Sequence, residues 1–162
     1  MSDNKVAILM GSTSDWPAIK PATEILDSLK INYEVKVLSA HRTPNQLLEY
    51  VQEKVKEGSI KVFIAAAGGA AHLAGVISSH TILPVLGVPM ESQSLKGLDS
   101  LLSTVQMPSG IPVATFGIGS AGSINASLFA AAILGIDNKN ISSAIKNYRE
   151  KKAKSILEST LE

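Results

Sequence analysis

The segment Tyr33-Glu34-Val35-Lys36-Val37-Leu38-Ser39-Ala40-His41-Arg42-Thr43-Pro44-Asn45-Gln46-Leu47-Leu48-Glu49-Tyr50-Val51 changes its hydrophobic period in the middle. From Tyr33 to Leu38, Val35 and Val37 alternate and Leu38 closes the run, the pattern of a strand entering a sheet. From Pro44 onward, Leu47, Leu48 and Val51 recur at helical spacing. The polar hexapeptide Ser39 to Pro44 therefore sits where a strand hands over to a helix. Open parallel sheets bind ligands in the crevice outside the carboxyl ends of their strands. An imidazole, a guanidinium and two hydroxyls gathered at such an edge point to an anionic ligand. A plainer reading also fits, with Thr43 as N-cap, Pro44 at the first helical position, and His41 and Arg42 as solvated loop residues.

The same unit recurs on both sides. Val6-Ala7-Ile8-Leu9-Met10 is a continuous apolar run, as in a strand buried on both faces of a parallel sheet, and it ends at Gly11-Ser12-Thr13-Ser14-Asp15. Trp16, Ile19, Ala22, Ile25, Leu26 and Leu29 then predict an amphipathic helix that closes near Lys30. The helix from Pro44 should run to about Glu57, with Gly58 as its C-cap. A third strand is predicted over Lys61 to Ala66, leading into Ala67-Gly68-Gly69-Ala70-Ala71-His72. A short fourth follows at Pro84 to Val88, and a fifth at Pro112 to Phe116 leads into Gly117-Ile118-Gly119-Ser120-Ala121-Gly122. Strand, loop and helix repeated five times imply right-handed crossovers and helices on both faces of the sheet. The expected architecture is one domain over 1–162, a three-layer α/β/α sandwich with a parallel five-stranded sheet, flavodoxin-like or Rossmann-like, plus a C-terminal helical tail from about residue 140.

Between the fourth and fifth strands, Leu95, Leu98, Leu101, Leu102 and Val105 predict a short helix ending before Pro108 and Gly110. Ser123 to Ile136 carries Ile124, Leu128, Phe129, Ile133 and Leu134, with alanines over most of the remaining surface. A helix without a polar face is usually buried on every side. One sheet covers only one face, so a neighbouring copy of the chain is the expected cover for the other. In the tail, Ile141, Ile145, Tyr148 and Ile156 form a thin apolar stripe, and Arg149, Lys151, Lys152 and Lys154 lie towards the end where the helix dipole favours cations.

A chain of 162 residues can bury roughly two-thirds of the surface it exposes when unfolded. Aromatic residues make up only 4% of it, so the core must be aliphatic and rich in alanine. The formal net charge of +1 gives no electrostatic basis for nucleic-acid binding, which needs clustered Lys and Arg. Without cysteine there is no disulfide, thiolate nucleophile or cysteine-ligated metal, and the cytoplasm is the expected location. The opening Met1-Ser2-Asp3-Asn4-Lys5 shows no export signal before the strand at Val6. The longest uncharged apolar stretches, near Val62 to Ala71 and Leu128 to Ile136, fall short of the roughly 20 residues of a membrane helix.

Three loops should meet at one sheet edge: Gly11 to Asp15, Ser39 to Arg42, and Gly68 to His72. The first offers hydroxyls and backbone N–H groups at a helix start, a setting that suits phosphate. Asp15 repels phosphate and suits ribose hydroxyls, although it is also a good N-cap. Neither the dinucleotide glycine fingerprint nor a P-loop lysine is present. Arg42 adds a planar fork that matches phosphate oxygens. His41 is the best proton carrier, because an imidazole's ordinary pKa of about 6.5 lets it give and take protons near neutrality. His72 follows Gly-Gly-Ala-Ala at a helix start and can line the site, whereas His80 is most simply a capping or surface residue. Gly68-Gly69 and Gly117-Ile118-Gly119 permit close approach of backbone to a ligand, but tight turns alone also explain them. No carboxylate pair, metal-spaced histidine set or Ser-His-Asp arrangement is apparent.

Taken in order, Gly11-Ser12-Thr13-Ser14-Asp15-Trp16, Ser39-Ala40-His41-Arg42-Thr43-Pro44, Ala67-Gly68-Gly69-Ala70-Ala71-His72-Leu73, Leu83-Pro84-Val85-Leu86-Gly87-Val88-Pro89 and Asp99-Ser100-Leu101-Leu102-Ser103-Thr104-Val105-Gln106-Met107-Pro108 closely resemble the class I N5-carboxyaminoimidazole ribonucleotide mutase family of purine biosynthesis. That family is also known as the catalytic subunit of phosphoribosylaminoimidazole carboxylase. The resemblance covers about residues 5 to 150. It implies an isomerase that moves a carboxylate from N5 to C4 of an aminoimidazole ribonucleotide, without metal, ATP or organic cofactor, in a homo-octamer. It further implies that Ser12, Ser14, Asp15, Ser39 and Arg42 bind the ribose phosphate, that His41 is acid and base, and that Gly68, Gly69 and His72 border the carboxylate pocket. Two residues depart from the family pattern: Ala74 stands where proline is common, and Ser120 where lysine is frequent. A class II enzyme using free CO2 is the alternative within enzymology, and a non-catalytic nucleotide-binding module the alternative outside it.

Overall fold

The apolar run at the start of the chain forms the strand β1 (Lys5–Met10), in which Val6 to Met10 are at most 2% exposed. It lies between β2 (Asn32–Val37) and β3 (Ile60–Ala67), so that Ile8 stands opposite Val35 on one side and Ile64 on the other. With β4 (Val85–Pro89) and β5 (Ala114–Thr115) they make a parallel sheet in the order β2-β1-β3-β4-β5. This is the flavodoxin-like order, whose direction of winding reverses between β1 and β3 and opens a crevice there. The computed structural model describes residues 5–160; Met1–Asn4 and the expected end of the tail at Leu161 lie outside them.

Alternate residues of β1 face opposite layers, as the period of a strand requires. Val6, Ile8 and Met10 pack with α1 (Trp16–Ser28), α5 (Ser120–Leu134) and α6 (Lys139–Leu157). Ala7 and Leu9 pack with α2 (Pro44–Glu57) and α3 (Leu73–Ser78). The limits of α2 follow from its end residues: Pro44 is pre-set for a first turn, and Gly58 closes the helix at φ +68°, where a side chain would be strained. Thr43 occupies the N-cap position, but its hydroxyl does not cap. It accepts the Ser39 N–H at 2.8 Å and lies 3.1 Å from the Ser39 carbonyl, so it closes the hexapeptide on itself. Asp15 likewise stands at the N-cap of α1 without a capping hydrogen bond.

The predicted helix between β4 and β5 is α4 (Leu98–Val105), but its apolar stripe faces outward. Leu98, Leu102 and Val105 are about half exposed, whereas Ser100 and Thr104 are buried. Fully burying a Leu or Val side chain is worth about 1.5–3 kcal/mol, so burial does not explain this orientation. Close approach does: a Cβ on Gly87 of β4 would lie 2.5 Å from Thr104 Cγ2. In α5 the buried face is small, with Gly122, Ser123, Ala126, Ser127, Ala130 and Ala131 letting it lie close to α1. On the outer face, for which a neighbouring copy is the expected cover, Phe129 is 48% exposed in the single chain. On α6, Ile145 is buried, but Ile156 is exposed because the helix outruns the core. β5 is shorter than Pro112–Phe116, being paired on one side only and preceded by a proline without an N–H.

Candidate active site

Each of the first three strands ends in a loop at the same sheet edge. After β1 the chain turns through a short 3₁₀ segment, Thr13–Asp15. Ser12 Oγ accepts the Ser14 N–H at 3.3 Å and lies 2.9 Å from the Ser14 hydroxyl, and the Asp15 N–H donates to the Ser12 carbonyl. Burial pushes the Asp15 carboxyl above the ordinary carboxylate range, opposed in part by the Ser12 backbone, the Arg42 charge and the Ser14 hydroxyl.

After β2, Ser39 Oγ accepts the N–H groups of His41 at 3.3 Å and Arg42 at 3.2 Å, so one hydroxyl shapes the turn that presents both side chains. Arg42 Nη2 donates to the Gly11 carbonyl at 2.8 Å and braces the second loop against the first. His41 Nε2 lies 2.8 Å from His72 Nδ1, with the rings edge to face at 4.9 Å, and braces it against the third. That bond needs a hydrogen on one nitrogen and a lone pair on the other, so two imidazolium rings cannot make it. The pair can hold a proton and pass it between its members. Gly69, at φ +67°, makes the turn that brings the chain round to His72.

These loops line a cleft of about 520 Å³, within the range that accommodates small ligands. Ser12, Ser14, Asp15, Ser39, His41, Arg42, Gly68 and Gly69 all border it, and His72 joins through its bond to His41. Glu91 and Ser92, just past β4, also line it and were not picked out from the sequence. The rule that selects strand ends applies to them equally, but no distinctive motif marks them. Gly117–Gly119 takes no part in the lining: a Cβ on Gly122 would lie 1.6 Å from the Gly117 carbonyl, so these glycines serve the turn itself. A larger cleft of about 920 Å³ lies at the opposite sheet edge, and exposed His80 is its only imidazole. Among the described residues, no three His, Asp or Glu side chains gather as metal ligands do, and no helix is long and apolar enough to cross a membrane.

The family model described as AIR carboxylase matches residues 5–155. The chain belongs to the AIR carboxylase family. Among curated members, the chain is 52% identical over 154 residues to the N5-carboxyaminoimidazole ribonucleotide mutase of Aliivibrio fischeri, with 95% of each chain covered. It is 53% identical over 155 residues to the mutase of that name from Bacillus subtilis, with 96% of this chain and 95% of the relative covered. The one from Saccharolobus solfataricus is 52% identical over 158 residues, covering 98% of both. The crystal structure of Treponema denticola PurE superposes with a TM-score of 0.87 at 31% identity, over 96% of this chain and 95% of that one. Within the AIR carboxylase family the chain thus shares both fold and nearly full length with its relatives, and the two departures, Ala74 and Ser120, sit outside the cleft lining. Ala74 is buried, packing beside Gly87, and Ser120 begins α5.

Proposed function

We propose that this chain is an isomerase of de novo purine biosynthesis that converts N5-carboxyaminoimidazole ribonucleotide to 4-carboxy-5-aminoimidazole ribonucleotide. The observation that carries this reading is the placing of His41 between a hydroxyl- and arginine-bearing loop pair and a glycine loop, in a chain about half identical to mutases of that name over nearly its whole length. Ser12, Ser14, Ser39 and Arg42 bind the phosphate end. Asp15 accepts from the ribose hydroxyls. Gly68, Gly69 and His72 border the carboxylate.

Protonated His41 gives its proton to N5 as the N5–carboxylate bond breaks, releasing CO2 and leaving an electron-rich aminoimidazole. The electron pair at C4 then attacks the trapped CO2. Neutral His41 removes the C4 proton, restoring aromaticity and its own starting state. One proton leaves the imidazole and one returns, so no other reagent enters. The protein's remaining task is to keep CO2 in attack geometry, since an escaped molecule ends the cycle. Supplying each substrate alone tests the reaction: rapid turnover of the N5-carboxy compound is expected. Turnover of the aminoimidazole with dilute bicarbonate, and not of the N5-carboxy compound, would replace the mutase with a CO2-dependent carboxylase.

The whole chain acts as one mutase domain in the cytoplasm, on a small ribonucleotide and without a nucleic-acid partner. It works as a homo-octamer. Support comes from the outward apolar residues of α4, from half-exposed Phe129 on α5, and from a cleft left open to water in the single chain. Light scattering should give eight times the 17.0 kDa chain mass, and a monomer would refute the assembly.

A further inference from the structure

We propose that Ser100 and Ser103 of α4 are positioning residues for proton transfer, holding His72 against His41 through the Gly68–Ala71 loop, an inference that rests on the reaction assigned above. Ser100 is fully buried, and its Oγ accepts the Gly69 N–H at 2.8 Å. One turn on, Ser103 Oγ accepts the Ala71 N–H at 3.0 Å. Residues three apart share a helix face, so one face of α4 grips alternate peptides of the loop. The next peptide continues the chain of bonds, with the His72 N–H donating to the Ala70 carbonyl at 2.8 Å. His72 Nδ1 then meets His41 Nε2 at 2.8 Å.

The helix is itself braced against the cleft. Ser92, which lines the cleft, donates to Asp99 Oδ1 at 2.5 Å and accepts the Gly97 N–H at 3.0 Å, while the Ser100 N–H donates to the same carboxylate oxygen. A purely local role is available to Ser103, whose single hydrogen can go to the Asp99 carbonyl at 2.7 Å in the common helix back-bond. It does not account for the oxygen lone pairs that accept from the loop, nor for Ser100, whose hydroxyl faces Gly69. These contacts also explain why α4 buries hydroxyls and leaves leucines outside. Removing the hydroxyls leaves the Gly69 N–H without its acceptor and the Ala71 N–H with the Gly69 carbonyl alone, 2.8 Å away within the loop, so the loop is released from α4 and must shift to satisfy Gly69. Displacement of a catalytic group by about 1 Å is enough to cost 10²-fold in rate.

The test uses the full chain with Ser100→Ala, Ser103→Ala and the double substitution. In the double variant kcat for N5-carboxyaminoimidazole ribonucleotide should fall at least tenfold while KM stays within twofold, because the phosphate and ribose loops follow β1 and β2. Ser103→Thr, which keeps the hydroxyl, should retain most of the activity that Ser103→Ala loses. Imidazole ¹⁵N resonances of His41 and His72 in the ligand-free protein should lose the hydrogen-bonded pattern of the unsubstituted chain. A folded double variant with kcat within twofold, or one whose imidazole resonances are unchanged, overturns the inference. If the double variant does not fold, Ser103→Ala, at a half-buried position, decides by the same readouts. Absence of turnover by the unsubstituted chain would refute the assigned reaction, and the imidazole resonances would still decide whether the serines hold the pair.

Discussion

Replacing His41 by asparagine lowers kcat by at least ~10³-fold and leaves ribonucleotide binding within a few-fold of the starting value. The size follows from the proposed chemistry, in which one imidazole serves as acid at N5 and as base at C4, and a positioned acid or base typically contributes 10²–10⁴-fold. Asparagine approximates the ring's polar reach but cannot carry a proton between the two steps. Binding persists because the cleft's hydroxyls and Arg42 are held independently of the imidazole: Ser39 anchors the turn through backbone N–H groups, and Arg42 reaches Gly11. Steady-state kinetics together with titration calorimetry separate the outcomes. Turnover at the original rate removes the proton shuttle, and a native chain that binds the nucleotide but never turns it over is a binding module.

The largest expected loss of stability belongs to Gly122→Ala, at more than about 4 kcal/mol, the range of severe core defects. The added Cβ would stand 1.6 Å from the Gly117 oxygen and 2.6 Å from its carbonyl carbon, and both are backbone atoms that no side-chain rotation can move away. The turn cannot easily yield, since the Gly119 N–H is bound to the Pro89 carbonyl and Gly119 itself sits at φ +71°. Gly11→Ala is the control: nothing lies within 4 Å of its Cβ, and its unfolding free energy from urea titration should stay within ~0.5 kcal/mol of the parent. An unchanged midpoint for Gly122→Ala would refute the close approach.

Val6 to Met10 reads directly as a strand buried on both faces, and Pro44 with Gly58 marks both ends of α2, because those residues act through local sterics that a linear reading captures. The orientation of α4 is different. Its leucines recur at the expected spacing, yet periodicity finds a stripe without saying which way it faces, and here the reason lies in contacts with Gly87 and the Gly68–Ala71 loop, both remote in sequence. The three cleft loops could be grouped beforehand because parallel strands deliver their ends to one edge. The His41–His72 bond could not, since β1 separates β2 from β3 and the loops must arch over it to meet. Thr43 and Asp15 illustrate the converse: their type and position suit caps, but their side chains do not cap.

The cross-braces between loops share a spacing that bears on how the protein is made. Arg42 to Gly11, His41 to His72 and Gly69 to Ser100 each join residues 31 apart, about one strand-helix repeat. Each closure spans a similar loop, and closure entropy grows only slowly with length, so none is much harder than another. As the chain leaves the ribosome, the partners become available in a fixed order: Arg42 with Gly11 first, then His41 with His72, and Gly69 with Ser100 last. A nascent chain ending before residue 98 can already contain the imidazole pair, but it lacks the helix that steadies it.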